Sequence, residues 1–174
     1  MLLAERLVAR QPVLLTQRVT EAFFVRVVAE DRPISSLTIV SPWVSAWDTG
    51  KIAFGRLCQQ ISIRPIRTLL ITRPPEEVWH RDALDRLAEA GVTIVLLPDL
   101  HAKVFVCEAV PVGFGLVGSA NLTRRSLDNF EIGVMFDGRG VLSPLLKELK
   151  WFASNDLRRL ASGKYTATPK GGID

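Results

Sequence analysis

The chain has 174 residues, 48% of them hydrophobic and 23% charged, which suffices for one packed domain of roughly 100–200 residues and gives no argument for a disordered chain. Its net charge of +4 is a mild basic bias that suits a polyanionic partner such as nucleic acid without requiring one. No apolar run approaches the roughly 18 residues of a membrane span, and the first ten residues carry Glu5, Arg6 and Arg10 rather than a signal-peptide core, so a cytoplasmic protein without membrane attachment is expected.

Residues 1–17 read as a lead-in segment. Thr20 is placed to cap a helix over 21–30, which Pro33 ends. Residues 37–40, Leu-Thr-Ile-Val, form a β-rich run stopped by Ser41-Pro42. A helix is predicted over 48–60, with Asp48 or Thr49 near its cap, and a buried strand over 66–72. Pro74-Pro75 opens a helix over 76–90, where Glu76 and Glu77 suit the positive end of the dipole and Gly91 supplies the C-terminal turn. Residues 92–97 are again an apolar strand. Strand and helix thus alternate from 37 to 97, the pattern of a parallel sheet with covering helices.

After Pro98 the rhythm changes. Residues 100–107, 114–118 and 131–136 read as strands, with no long helix between the first two. A last helix is predicted over 142–160, and the stretch from 162 to 174, rich in Gly, Thr, Lys and Pro, is expected to be flexible. The fold class is therefore α/β: a mixed, mostly parallel sheet flanked by helices on both faces, in a single domain spanning 1–174.

Cys58 and Cys107 form no Cys-x-x-Cys pair and lie at no metal-ligand spacing from a histidine, so they read as buried thiols in a reducing compartment, and no metal site is expected. The chemistry concentrates in residues 100–136. On a strand, His101 and Lys103 share a face, an imidazole nucleophile beside a fixed cation for a phosphate's non-bridging oxygens. Gly118-Ser119-Ala120-Asn121 follows an apolar strand; Ser119 and Asn121 offer hydrogen bonds, and Gly118 allows close backbone approach. Glu131 is a carboxylate able to fix the His101 tautomer. Arg124 and Arg125 come directly after this segment and suit contacts to phosphates. Arg64, Arg67 and Arg73 flank a strand and add to a basic surface, and His80 reads as an ordinary helical histidine. Trp43, Trp47, Trp79 and Trp151 read first as core or interface anchors, with a site-edge role for Trp43 at a strand's C-terminal end.

In this order, His-x-Lys, an acid five positions after the lysine, Gly-Ser-x-Asn and a downstream Glu, the residues resemble the HKD motif of the phospholipase D superfamily. The matching positions are His101, Lys103, Glu108, Gly118, Ser119, Asn121 and Glu131. Glu108 stands where the family usually has Asp, and strand parity puts it on the face opposite His101 and Lys103, which suggests a structural acid. The resemblance implies a phosphodiesterase that needs no metal or other cofactor: one histidine forms a phosphohistidine, and a second protonates the leaving oxygen and activates water. The chain holds 2 histidines, and only His101 lies in the motif. The resemblance therefore implies a homodimer with the site at its interface, each chain supplying one His101, as in the small single-motif bacterial endonucleases. The expected activity is hydrolysis of nucleic acid. The alternatives are a phospholipase D-type lipid phosphodiesterase or transferase, and a non-catalytic member that binds nucleic acid or protein.

Overall fold

Alternating apolar residues on short strands decide which faces of the sheet must be covered. In the computed structural model, which describes residues 12–167, the strands are β1 (Val13–Gln17), β2 (Ile34–Val40), β3 (Arg67–Thr72), β4 (Thr93–Leu96), β5 (Val104–Ala109), β6 (Phe114–Gly118), β7 (Phe130–Asp137) and β8 (Gly163–Lys164). They join one sheet in the order β1-β7-β6-β5-β2-β3-β4-β8. The helices are α1 (Val19–Ala29), α2 (Phe54–Ile63), α3 (Val78–Glu89), the single turn α4 (Arg125–Asp128) and α5 (Ser143–Trp151), which runs on into a wider π-helical turn over Phe152–Leu157.

β2, β3 and β4 are parallel, linked through α2 and α3 as the alternating pattern predicts. All other pairings are antiparallel, so the expectation of a mostly parallel sheet is corrected. The reason is connection length. Residues 110–113 alone link β5 to β6, and a parallel pairing needs a crossover of about a dozen residues or more.

Both ends of the described chain are more ordered than expected. Residues 13–17 of the expected lead-in form edge strand β1, with Val13 opposite Met135 and Leu15 opposite Gly133; residues 1–11 lie outside the described residues. In the expected flexible tail, β8 pairs with Val95 and Leu96, and Tyr165 donates a 2.8 Å hydrogen bond from its hydroxyl to Asp85. Residues 168–174 lie outside the described residues. α1 begins at Val19, and Thr20 lies buried in its first turn instead of capping it. α2 begins at Phe54 because residues 48–53 close into a loop, where the Trp47 indole donates to the Ile52 carbonyl at 2.6 Å and the Phe54 amide to the Trp47 carbonyl at 2.9 Å.

The first face of the sheet carries the larger core. Leu37, Ile39, Leu70, Phe105, Phe114 and Leu116 meet Phe23 and Phe24 of α1, Leu57 of α2 and Leu84 of α3. The second face packs Val40, Ile71, Val95, Val104 and Val106 against Ala153 and Leu157. That cover stops short of one edge. Val117 on β6, Ile132 and Val134 on β7 and Leu14 on β1 share the second face, and the last three stand 57%, 40% and 56% exposed.

β6 and β7 approach closely where Gly118 faces Gly133. A Cβ at Gly118 would sit 2.2 Å from the Ile132 carbonyl oxygen, whereas one at Gly163 meets nothing within 4 Å. Gly118→Ala is therefore expected to destabilise the fold by about 1–3 kcal/mol, and Gly163→Ala by less than about 0.5 kcal/mol. Paired urea-denaturation curves check the contrast; equal midpoints for the two variants would contradict it.

Candidate active site

The pieces of the motif meet at one end of the sheet. β2 ends at Val40 opposite Val104, the first residue of β5, so the chain ahead of β5 leaves the sheet at the C-terminal ends of the parallel strands, the usual place for ligand sites in α/β sheets. His101 and Lys103 lie in that entering loop and not on the strand, because β5 begins at Val104, four residues after the start of the predicted span. The backbone ladder carries on past the strands. The Gly118 amide donates to the Lys103 carbonyl at 3.4 Å and the Ser119 amide to the Ile132 carbonyl at 2.8 Å. Lys103, Ser119 and Glu131 are thereby neighbours across three strands although the sequence separates them widely.

The polar network is built around Glu131. Ser119 donates its hydroxyl to one carboxylate oxygen and accepts from the Ile132 amide at 3.0 Å. Ser126 donates to the other oxygen at 3.3 Å and accepts from the Asn121 amide at 3.1 Å. The Asn121 side-chain oxygen is buried and has no hydrogen-bond partner. Lys103 donates to the His101 carbonyl at 2.8 Å, tying the two motif residues together. Burial, helped by the nearby Arg73 charge, lowers the Lys103 pKa, and Glu131 opposes that shift. The His101 side chain is exposed, and no hydrogen bond joins it to Glu131 among the described residues.

Two motif residues lie outside this polar network. Gly118 allows the close approach of β7, where a Cβ would meet the Ile132 carbonyl oxygen. Glu108 sits at the far end of β5, where it accepts from Ser36 and from Lys150, the latter at 2.6 Å. Burial raises its pKa, but the hydrogen bonds from Lys150 and Ser36 and the charges of Lys150 and Arg67 outweigh burial, and the net shift is downward.

Beside the motif runs a groove of about 920 Å³ lined by Trp43, Trp79, Asn121, Thr123, Arg124 and Arg125 among others. The predicted substrate-binding residues Trp43, Arg124 and Arg125 thus come together. Of two further side chains with a part in the site, one was read from the sequence only as part of a basic surface and the other was not singled out. Arg73 donates to the Leu100 carbonyl at 2.7 Å, directly before His101, and lies 5.4 Å from the centre of the Trp43 ring. Its position just past a parallel strand was the available signal. Ser126 links Asn121 to Glu131, and its place in a short turn after Thr123 carries no comparable mark.

Residues 35–153 match the family model described as cardiolipin synthase, PLD-like domain. The chain belongs to this phospholipase D-like family. Membership assigns it phosphodiester chemistry, with nucleolytic cleavage the form weighed below. Comparison with curated proteins returned no match. Among solved structures, the phospholipase D-like fold recurs in Nuc from Salmonella typhimurium, a phospholipase D family member, at 15% identity and a TM-score of 0.60, covering 89% of this chain and 99% of that one. NucT from Helicobacter pylori matches at 16% identity and a TM-score of 0.62, covering 88% of this chain and 98% of that one. Polyphosphate kinase from Porphyromonas gingivalis matches at 14% identity and a TM-score of 0.59, with 87% of this chain covered but 28% of that one.

The lowered pKa of Glu108 means that its charged form is favoured in the folded state. Its contribution to stability is present above the unfolded value of 4.5 and is lost as pH falls through the folded value below it. Glu108→Gln is expected to cost about 1 kcal/mol at pH 7, and the gap to the parent chain should close below pH 4.5. Thermal melts across pH 3–8 read this directly. A gap that stays constant over the range would remove the ionised Glu108 from the account.

Proposed function

We propose that the chain is a metal-independent nuclease that hydrolyses phosphodiester bonds in nucleic acid as a homodimer, through a phosphohistidine on His101. The observation that carries this reading is the placement of His101, Lys103, Asn121 and the Ser119–Glu131 pair at one sheet end, bordered by an uncovered apolar strip.

The proposed roles rest on the chemistry of these side chains. A ring nitrogen of the exposed His101 attacks phosphorus, and a P–N bond forms as the P–O bond to the leaving group breaks. Lys103, close to neighbouring backbone and partly desolvated, holds a non-bridging oxygen as negative charge builds. Asn121 adds an amide donor. Glu131, gripped by Ser119 and Ser126, is the carboxylate available to orient an imidazole. The leaving oxygen needs a proton, and the motif of one chain has no second histidine: His80 is fully buried beside Thr72. His101 of a second copy supplies that proton. The same ring then takes a proton from water, which attacks phosphorus, breaks the P–N bond and releases the phosphomonoester.

The homodimer is supported by the incomplete cover of the sheet. Leu14, Val117, Ile132 and Val134 form an exposed apolar strip that ends beside Glu131 and Ser119, where a second copy would bury it and bring its own His101 to the site. Nucleic acid as substrate is supported by the net positive charge and by Arg73, Arg124 and Arg125 around the groove.

A second reading is phospholipid cleavage or headgroup exchange. It is favoured by the cardiolipin synthase description of the family model and by an apolar cleft of about 380 Å³ beside His101, lined by Leu97, Leu100, Leu157 and Leu160. Turnover of phosphatidylglycerol vesicles without cleavage of any DNA or RNA would put this reading first.

The deciding experiment incubates the purified protein with labelled single- and double-stranded DNA and RNA in excess EDTA. Cleavage is expected, with loss of at least about 1000-fold in His101→Ala. Ile132→Asp on the apolar strip is expected to yield monomers in sedimentation and to abolish cleavage with dimerisation. Full activity in a verified monomer would overturn the shared site, and cleavage indifferent to His101→Ala would overturn the mechanism.

A further inference from the structure

The groove beside the motif has a feature that phosphodiester chemistry does not use. Ser41 accepts the Leu122 amide at 2.8 Å and donates to the Trp43 carbonyl at 2.7 Å, while the Ser45 amide donates to the Leu122 carbonyl at 3.0 Å and the Arg124 amide to the Ser45 hydroxyl at 2.9 Å. The segment bearing Trp43 is thereby clamped to the segment bearing Asn121. Trp79 lies 6.2 Å from Trp43, centre to centre, and stacks on His80 at 5.6 Å with an interplanar angle of 23°. His80 is itself fixed: its Nε2 meets the Thr72 hydroxyl at 3.1 Å, and burial pushes its pKa down to about 4, so the ring beneath Trp79 is neutral at physiological pH. A rigid indole, 44% exposed, lines open space with its support already in place.

Such a shelf is unusual for a core anchor, because a large exposed aromatic held by neighbours gains little from burial. Its electrical setting also matters. Arg124 and Arg125 share the groove lining with Glu77 and Asp128, so its positive charge is local and forms no continuous track for a phosphate backbone. What it offers is aromatic surface, with local cations for one or two phosphates. That combination suits a nucleobase lifted out of a helix and stacked on an aromatic side chain, since every base has a π-face. A duplex hides those faces in its own stack.

Resting on the reading that the His101 pocket takes a nucleic-acid phosphodiester, we propose that Trp79, with Trp43 beside it, is a stacking subsite for an unpaired nucleobase next to the scissile phosphate. Single strands are therefore the preferred ligand. Arg73 joins the two regions, with its guanidinium at the Trp43 ring and its Nε on the carbonyl preceding His101.

The test is binding in the His101→Ala protein, followed by tryptophan fluorescence. The probes are a short single-stranded DNA, its RNA counterpart, the same DNA with abasic positions, and the duplex. Trp79→Ala is expected to weaken single-strand binding roughly 10-fold, and Trp79→Phe to restore most of it. The abasic strand should bind the Trp79 protein as weakly as the intact strand binds Trp79→Ala, and duplex binding should not respond to the substitution. Dependence on Trp79 with either sugar supports the subsite. Equal losses on intact, abasic and duplex probes, or no loss on any, overturn it. Hydrolysis by the His101 protein is measured alongside. Base-dependent binding without turnover removes the nuclease reading and leaves the subsite; turnover without Trp79 dependence does the reverse.

Discussion

Everything at the site depends on how closely β6 and β7 run where Gly118 faces Gly133. A Cβ at Gly118 would strike the Ile132 carbonyl, and one at Gly133 would lie 2.4 Å from Val19 of α1. Neither strand can hold a larger residue there without moving apart or pushing the helix away. The contact is short because the Ser119 amide must reach the Ile132 carbonyl at 2.8 Å. With that bond made, the Ser119 hydroxyl falls against Glu131. The two glycines thus set the polar network from below, and the helical core on the other side sets the glycines.

The two faces of the sheet are finished differently. Three helices cover the first face, and four of its buried aromatic side chains, Phe23, Phe24, Phe105 and Phe114, pack ring against ring at 5.2–5.9 Å. α5 and its π-helical turn cover the second face only over the central strands. The exposed apolar side chains lie beside a polar network: burying the strip would remove water from that edge, where a lower dielectric strengthens interactions between charges. Lys103 at this edge is already partly buried, and that burial lowers its pKa.

Legibility followed the range of the interactions. β6 was legible at its observed bounds because a glycine and a turn close both ends of a five-residue apolar run. The motif residues were recognisable because their types and spacing form an ordered pattern whatever the backbone does. His101 and Lys103 nonetheless sit in a loop: the apolar alternation of 100–107 continues past the point where β2 ends and nothing remains to pair with. β1 was missed because an edge strand of five residues, opposite one partner, has a weak pattern of its own. The site contacts of Arg73, read only as part of a basic surface, and of Ser126 were missed because they are made with residues that only the fold brings near, Leu100 and Trp43 for the first and Asn121 and Glu131 for the second.

The outer strands come from opposite ends of the described chain. β1 closes one edge of the sheet and β8 the other, so the row of amides and carbonyls on β4 is met by Gly163 and Lys164 instead of standing open. An unmatched row of that kind is a template for another strand. A chain cut shortly before residue 163 would keep the motif and most of the core, yet it would present Val95 and Leu96 as a sticky seam. Two residues at the end of the described fold thus act as a selvedge, keeping the sheet from unravelling into, or knitting onto, its neighbours.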